Sequence, residues 1–346
     1  MATEPTYLQT NQLHRAPAFS LVIDGRDISK RVEPRLVQLT LTESRGDEAD
    51  QLDLTIEDSD GRMNLPTKGA ELLLGLGWDG STLNDKGTFE IDEVEHHGAP
   101  DTITIRARSA EMRRQLRTRA ERSYHGQTLG QIVRSIASRN ELEPRIDDTL
   151  ASTRVDHIDQ TNESDLHFLT RLAKKYDAVA TVKKGRLYFA PIGSTRGATG
   201  EEIAALTITR AAGDQHRYHS ADRNAYSGVR AYWHDPNSAQ KRSVLVGEEE
   251  NEKRLKDTYG SEADAMAAAR AERGRIERGK ATMELTLALG RPDLVPRAPV
   301  TLRGFKDVID ATDWLVVKLT HTLGDNGLTT RLELETRAAD KTAGNQ

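Results

Sequence analysis

The chain has 346 residues, of which 36% are hydrophobic and 30% charged, with a formal net charge of -5 and a pI of about 6.1. The absence of cysteine excludes disulfides, thiol catalysis and thiolate metal sites, and the acidic balance does not favour general nucleic-acid binding. No apolar run approaches the ~20 residues that a membrane-spanning helix needs. Residues 1–17 lack a basic start followed by an apolar block, so they are expected to form an arm and not a secretory signal.

Residues 18–110 are predicted to form a first antiparallel β-barrel. Apolar and polar residues alternate along several short segments, and Gly, Pro, Asn and Asp separate these segments about every ten positions. Two of the segments have apolar faces made of Val37, Leu39, Leu41, Leu52, Leu54 and Ile56. This spacing is typical of a barrel or a sandwich.

Residues 111–193 are predicted to form an insert of mixed α and β structure. The insert starts with a basic, weakly helical segment that runs to about residue 124. A clearer helix follows, because Leu129, Ile132, Val133 and Ile136 recur at helical spacing.

The segment from Gln160 to Pro191 predicts a second helix and a strand hairpin. Asn162 or Ser164 can cap the helix, and Asp165 lies in its first turn. The apolar face of the helix consists of Leu166, Phe168, Leu169, Leu172 and Ala173. The polar face is expected to be solvated or to contact another subunit, and it is assigned Asp165, His167, Arg171, Lys174 and Lys175.

Residues 194–338 are predicted to form a second β-barrel, and residues 339–346 a flexible tail. A charged, Ala-rich run at about 250–279 is predicted to be a helical insertion, with a helix from about Ser261 to Arg278. The predicted fold class is therefore mainly β, with two similar antiparallel barrels of the tube type and an α+β insert between them.

The two β regions resemble each other in order and spacing. Phe89 and His96 are seven positions apart, as are Trp314 and His321, and the apolar residues between them match at the second and fifth positions. An alignment of any two hairpins could produce this pattern, whereas a true duplication would let three chains close a ring with six similar positions. We interpret the pattern as a duplication.

Several motifs suggest chemistry without completing a site. The segment "GLGWDG" at 75–80 has the dinucleotide-binding glycine pattern, but a strand and not a helix is predicted to follow, so it indicates a hairpin. Glu93, Glu95 and His97 would share one strand face, and His216, His219 and His234 lie near one another in sequence. We interpret both groups as solvated strand residues and predict no metal site and no cofactor.

No catalytic residue is predicted. The chain has no nucleophile elbow, no HExxH and no P-loop, although a carboxylate pair for glycoside cleavage stays open because acidic residues are abundant. The segment "YHGQTLGQIVRSIASRNEL" faintly resembles a LysM peptidoglycan-binding repeat. Peptidoglycan binding or peptidoglycan degradation is therefore kept as an alternative function.

One longer stretch resembles the late control gene D family, the baseplate hub proteins of contractile-tailed phages, which are related to the N-terminal part of type VI secretion spike proteins. The matching residues are Gln160, Glu163, Ser164, Asp165, Phe168, Leu169, Arg171 and Leu172. Segments of both predicted barrels and of the insert are also similar, so the resemblance covers roughly residues 18–338. One departure is Tyr176-Asp177-Ala178, where the family often has a glycine after the aromatic residue.

The resemblance implies a structural hub and not an enzyme. Such hubs are homotrimers whose paired barrels form a pseudo-sixfold ring, which adapts the tail tube to the threefold spike and lines the channel. The implied partners are further copies of the chain, the spike protein, the tail tube or its initiator, the tape measure protein and other baseplate proteins, with no nucleic-acid specificity and no membrane insertion. The expected location is the baseplate of a virion or a tailocin, assembled in the bacterial cytoplasm.

Structural or interface roles are expected for the matched residues Gln160, Glu163, Asp165, Phe168, Leu169, Arg171 and Leu172, and for the duplicated aromatics Phe89 and Trp314. A type VI secretion spike component is the other alternative. The chain ends soon after the second barrel and carries no long β-helical spike, so a separate spike protein is expected.

Overall fold

The computed structural model describes residues 16–46, 48–110, 114–183, 185–194, 202–220, 226–236 and 238–337. Its strands are β1 (Pro17–Ile23), β2 (Arg26–Asp27), β3 (Leu36–Ser44), β4 (Gln51–Glu57), β5 (Glu71–Trp78), β6 (Asn84–His97), β7 (Thr102–Ser109), β8 (Arg119–Thr128), β9 (Glu143–Ile146), β10 (Arg154–Ser164), β11 (Ala178–Lys183), β12 (Arg186–Pro191), β13 (Leu206–Thr209), β14 (Gly213–Ser220), β15 (Gly228–Asp235), β16 (Gln240–Gly247), β17 (Glu252–Tyr259), β18 (Ala281–Leu287), β19 (Pro299–Arg303), β20 (Asp313–Gly324) and β21 (Gly327–Thr336). Its helices are α1 (Ser29–Val32), α2 (Arg114–Arg117), α3 (Leu129–Arg139), α4 (Asp148–Ala151), α5 (Asp165–Lys175), α6 (Glu262–Arg278) and α7 (Asp307–Asp310). The predicted tail and nearly all of the predicted arm lie outside the described residues, and β1 begins at Pro17, the last residue assigned to the arm.

The first group of strands, called unit 1, pairs in the order β3-β4-β7-β6-β5-β1. The alternation seen in the sequence places one face of these strands in a single apolar core, except that Val37, assigned to that face, is 44% exposed where the register of β3 shifts. Leu39, Leu41, Leu52 and Leu54 are all buried there, and Phe89 is among the largest side chains of that core.

The second group, called unit 2, repeats the same order as β14-β18-β21-β20-β19-β13. Its core is separate and is built around Trp314, Met283 and Leu332. The repeat has one difference in direction, because β1 is antiparallel to β5 whereas β13 is parallel to β19.

Backbone details of the two units also coincide. The register of β6 on β7 shifts between Ile91 and Glu93, and that of β20 on β21 shifts between Val316 and Lys318, which places a bulge two residues after each buried aromatic. Ile91 exchanges backbone hydrogen bonds with the Gly69-Ala70 pair at 2.8 and 3.0 Å, and Val316 does so with Arg297-Ala298 at the same distances.

The first residue of each of these two pairs has a left-handed backbone, with φ of 84° at Gly69 and 71° at Arg297. Glycine adopts this conformation without steric cost, whereas an arginine needs the surrounding structure to hold it there. The bulges and these turns support the interpretation of the sequence pattern as a duplication.

Units 1 and 2 join in one continuous sheet. The second half of β20, Lys318–Gly324, pairs antiparallel with Gln38–Ser44 of β3. Leu323 and Leu328 of unit 2 extend across this junction and pack in the core of unit 1. We call this β20–β3 pairing the internal seam.

The insert lies between the units in sequence and has its own core. Strands β8 and β10 form a two-stranded sheet, and β11, β12 and β9 form a three-stranded one. The predicted helices are confirmed as α3 and α5, and the hairpin as β11 and β12. The predicted weakly helical start is mostly wrong, because in the part of this segment that the structure describes only α2 is helical and Arg119–Thr128 is β8.

The region assigned to the second barrel contains a further lobe that the sequence pattern did not separate. Strands β16, β15 and β17 form their own sheet, and α6 packs on it around Ala265 and Ala269. The helix is confirmed, with Ser261 as its N-cap. The charged segment before it is strand β17 and not helix: Leu255 and Tyr259 pack against the lobe core, and the charged residues between them, Lys256 and Asp257, are exposed. The mainly β fold class with an α+β insert is confirmed.

Candidate functional site

The motif that carries the family resemblance spans the end of β10 and the whole of α5. The Ser164 hydroxyl accepts a hydrogen bond from the His167 N–H at 3.2 Å, so Ser164 and not Asn162 is the N-cap. Asn162 has a positive φ of 49° in the β10 bulge that precedes the helix. The helix therefore begins where a strand ends, and this turn fixes the direction of its side chains.

Asp165 is buried and is the centre of a hydrogen-bond network within the insert. Its carboxylate accepts from Asn140 at 2.9 Å and from Gln160 at 2.9 Å, with Arg139 at 3.2 Å and Arg122 at 3.4 Å. Burial alone would raise the pKa of Asp165, but Asn140, Gln160 and Arg139 hold it below its ordinary value. The assignment of Asp165 to a solvated helix face is therefore wrong.

The predicted apolar face of α5 is buried as expected. Phe168, Leu169 and Leu172 are at most 1% exposed and form the centre of the insert core. The Phe168 ring stacks on Tyr124 of β8 with centroids 5.4 Å apart. These side chains hold α5 against both sheets of the insert.

Glu163 and Arg171 form an ion pair on the surface side of the same motif. Glu163 also accepts from the His167 ring at 2.7 Å, and Arg171 donates to the Asp159 carbonyl at 2.6 Å. Burial would raise the pKa of Glu163, but Arg171 and His167 keep it lowered. The pair lines an open groove of about 670 Å³, so the polar side chains of the motif divide between an internal network and an outer surface.

The internal seam contains a buried charged cluster. Lys86 donates to Glu43 at 2.6 Å, and the His321 Nε2 lies 3.2 Å from the same carboxylate oxygen. The His321 Nδ1 lies 2.8 Å from the Thr330 hydroxyl, which accepts from the Arg291 N–H at 2.9 Å. Because Glu43 and Lys86 belong to unit 1 and the others to unit 2, the cluster fixes one unit to the other.

The protonation of this cluster follows from its geometry. Burial would raise the pKa of Glu43, but Lys86, His321 and Lys183 lower it to about 2. Burial lowers the pKa of His321. A neutral imidazole that donates from Nε2 to the carboxylate and accepts at Nδ1 from Thr330 satisfies every bond in the cluster.

The insert is anchored to the same place. Lys183 of β11 reaches Asp50 at 3.1 Å, and burial raises the pKa of Asp50. Arg297 stacks over the Tyr188 ring at 4.6 Å and donates to the Tyr188 hydroxyl at 3.0 Å. These groups surround a cavity of about 390 Å³ where both units and the insert meet.

A second charged cluster connects the insert to α6 and unit 2. Arg278 pairs with Asp177 at 2.6 Å and with Glu335 at 3.1 Å, and Arg45 pairs with Glu335 as well. Lys175, predicted on the solvated face of α5, instead pairs with Asp264 of α6 at 2.6 Å. Asp177 directly follows Tyr176, the place where the sequence departs from the glycine of the resembled family, and here its carboxylate pairs with Arg278.

The duplicated aromatics occupy equivalent places. Phe89 is 1% and Trp314 is 0% exposed, and each lies opposite the last residues of its partner strand, Ser109 and Thr336. The Trp314 Nε1 donates to the Ile309 carbonyl at 3.1 Å, a bond that Phe89 cannot make. Both residues are therefore core residues of their units.

The other motifs have structural explanations. The segment at 75–80 runs from β5 into the turn before β6, as the hairpin interpretation predicts. Thr128 and Gln131 of the LysM-like segment form a capping box at the start of α3. Across the described ranges, no group of three His, Asp or Glu could hold a metal ion. Within the same ranges, no helix is both long and apolar enough to cross a membrane.

Sequence reasoning missed the seam cluster, although one signal was present. Glu43 continues the alternation of Leu39 and Leu41, and His321 continues that of Leu319, so both fall on apolar strand faces. A charged or polar residue on the apolar face of a strand predicts a partner that can form an ion pair or a hydrogen bond with it. Its partner could not be identified, because Glu43 and His321 are 278 positions apart.

Comparisons with known proteins agree with this architecture. The family model described as phage tail baseplate hub (GPD) matches residues 82–327. The chain is 43% identical to the probable baseplate hub protein of Escherichia phage 186, with 94% of each chain covered.

Solved structures show the same fold at low identity. The 43 kDa tail protein of prophage MuSo2 from Shewanella oneidensis aligns with a TM-score of 0.68 and 16% identity over 92% of this chain and 98% of that one. The E. coli c3393 protein, a component of the type VI secretion system, aligns with a TM-score of 0.55 and 15% identity over 88% and 74%. These structures share the fold, and the family model and the phage 186 relative establish that the chain belongs to the phage tail baseplate hub family.

Proposed function

We propose that three copies of this baseplate hub chain form a ring in which six β units alternate around a central channel. The observation that carries the proposal is that units 1 and 2 repeat the same strand order, bulge and turn. Each copy therefore supplies two similar units to the ring. Closed cyclic symmetry is the usual outcome when soluble copies associate. A ring of three such chains has approximate sixfold symmetry from its units and true threefold symmetry from its copies.

This symmetry suits an adaptor between a sixfold tail tube and a threefold spike. The partners that we propose are the spike protein, the tube or its initiator, the tape measure protein and other baseplate proteins. The domain limits 18–110, 111–193 and 194–338 stay part of this proposal, with the lobe of β15–β17 and α6 as an addition to the last.

We also propose that the chain performs no catalysis. The buried polar clusters have structural partners, and the cavity at the seam is lined by residues that pair units with one another. Zymography on cell walls tests this point, because a clearing band would identify a peptidoglycan hydrolase.

The ring is tested by light scattering and negative-stain electron microscopy of the full chain, alone and with its spike protein. We expect a threefold particle with a mass three times 38.4 kDa, about 115 kDa, a central hole and six lobes. A compact monomer in the presence of the spike protein would overturn the proposal.

A further inference from the structure

Strands β14 and β6 each have an open sheet edge among the described residues. Strand β14 pairs with β18 on one side only, and β6 has β7 alone beside Glu93–His97 because its pairing with β5 ends at Glu90. No other strand among the described residues pairs with these edges. An unpaired edge presents a row of N–H and C=O groups that can bind another strand.

Because the two units are similar, each open strand has an equivalent strand in the other unit, and these equivalents are paired. β20 occupies in unit 2 the place of β6 in unit 1, with Trp314 equivalent to Phe89. β3 occupies in unit 1 the place of β14 in unit 2, since each is the first strand in the same order. β20 and β3 pair with each other at the internal seam. The open edges of β6 and β14 are therefore equivalent to the two edges that pair at the internal seam.

Burial differs between the paired and the open strands. At the internal seam Leu41 and His321 are fully buried. Their equivalents at the open edges are Tyr218, which is half-buried, and His96, which is exposed. The equivalence of Leu41 and Tyr218 follows from the neighbouring strands, because Leu41 lies opposite Leu52 and Tyr218 lies opposite Met283 at matching core positions.

We infer that β14 of one copy pairs antiparallel with Glu93–His97 of β6 in the next copy, and that the pairing repeats the register of the internal seam. This inference rests on the proposed ring and adds the strands and the register that close it. The internal pairs are Thr320 with Thr42, His321 with Leu41 and Thr322 with Thr40. The corresponding pairs between copies are Glu95 with His219, His96 with Tyr218 and His97 with Arg217.

One of the three pairs between copies is complementary in charge. Glu95 faces His219 directly, so an acidic residue meets a basic one across the strands. The two motifs that resembled incomplete metal sites, at 93–97 and 216–219, become the two halves of one contact. The contact contributes one different edge from each copy, so it is head-to-tail and a closed ring of three leaves neither edge exposed.

The contact between copies lacks the buried charge cluster of the internal seam. Ser220 stands at the place of Glu43, opposite Val94 at the place of Leu319. No charged side chain has to be desolvated at that place. Copies that are already folded can therefore join along backbone hydrogen bonds without burying an ion pair there.

The test uses engineered cysteines, since the natural chain has none. The double variants Glu95→Cys/His219→Cys and Val94→Cys/Ser220→Cys place thiols on directly opposite residues, and one of these neighbouring pairs is the closer, non-hydrogen-bonded kind. Under mild oxidation we expect covalent dimers and trimers on non-reducing gels, with most of the protein in the trimer. Each single-cysteine variant should stay monomeric on the gel.

The matched control is Glu95→Cys/Arg217→Cys, which shifts one thiol by two residues on the same face. Diagonal neighbours lie about 7–8 Å apart, too far for an unstrained disulfide, so this variant should cross-link at least tenfold less. Equal cross-linking would overturn the register. A trimer in light scattering with no cross-link from either direct pair would overturn the strand pairing and leave the ring standing. Monomers at all concentrations and no cross-link would overturn both.

Discussion

Units 1 and 2 share a backbone plan but differ in what surrounds it. The strand order, the bulge after the buried aromatic and the left-handed turn before β5 and β19 are the same. The side chains at those places have changed, with Phe89 against Trp314 and Gly69 against Arg297. The two units therefore share their backbone hydrogen bonds and not the identity of their side chains.

The difference lies at the edges. In unit 1 the β3 edge is covered by β20, whereas in unit 2 the equivalent β14 edge is open. The covered edge has acquired the buried Glu43, Lys86 and His321 cluster, and the open edge has not. A polar cluster of this kind fixes one arrangement of the units, and it occurs where the partner is always present in the same chain.

The largest expected effect comes from emptying the cores of the two units. Phe89→Ala and Trp314→Ala should each lower the free energy of unfolding by about 3–5 kcal/mol. Trp314→Ala should cost more, because it also leaves the Ile309 carbonyl without its donor. Urea unfolding followed by circular dichroism measures both, with Leu73→Ala on the exposed face of β5 as control. A loss below 1 kcal/mol in either variant would contradict the core position of that ring.

The seam cluster should be next. Glu43→Met leaves the buried Lys86 without its counter-ion and should cost about 3–5 kcal/mol. The double variant Glu43→Met/Lys86→Met removes both charges and should recover most of that loss. The same unfolding experiment with a double-mutant cycle measures the coupling. Additive single effects would mean that the pair does not hold the units together.

Asp165→Ala should cost about 3 kcal/mol, more than the ~1 kcal/mol of a first-turn cap, because it leaves buried donors of Asn140 and Gln160 unpaired. Asp148→Ala is the matched control, since Asp148 lies in the first turn of α4 and is exposed. Thermal unfolding of both variants distinguishes the two costs. Equal effects would restore the solvated interpretation of Asp165.

The smallest effect is a dependence on pH. The lowered pKa of His321 means that its contribution to stability is complete above 6.5 and is lost as pH falls, because the unfolded state then binds the proton more readily. Glu43 adds a loss in the same direction below about 4.5. Between pH 6.5 and 5 we therefore expect the free energy of unfolding to fall as the pH is lowered. Denaturant midpoints should be measured across this pH range. Their dependence on pH should become weaker in His321→Gln but not in His234→Gln, which changes an exposed histidine.

Local patterns in the sequence predicted the elements well where one period dominated. Alternation identified the strands of both units, and helical spacing identified α3, α5 and α6. The helical spacing in α5 also indicated that Asp165 is buried. Asp165 lies three, four and seven positions before Phe168, Leu169 and Leu172, on the same apolar face of the helix.

Contacts between distant segments could not be predicted in the same way. Nothing near Glu43 in sequence identifies His321 as its partner, and the separate sheet of β15–β17 depends on which strands meet and not on how each is patterned. The charges in β17 further obscured an alternation that only two apolar residues carry, Leu255 and Tyr259.

The internal seam also sets the order in which the molecule can be completed during synthesis. β3 is translated long before its partner Lys318–Gly324, and unit 1 lacks Leu323 and Leu328 until that later segment has been made. Pairing at such long range is slow and leaves the β3 edge open on the nascent chain. Since both units are finished by the same hairpin, a ribosome that stops before β20 releases a chain in which neither unit is complete.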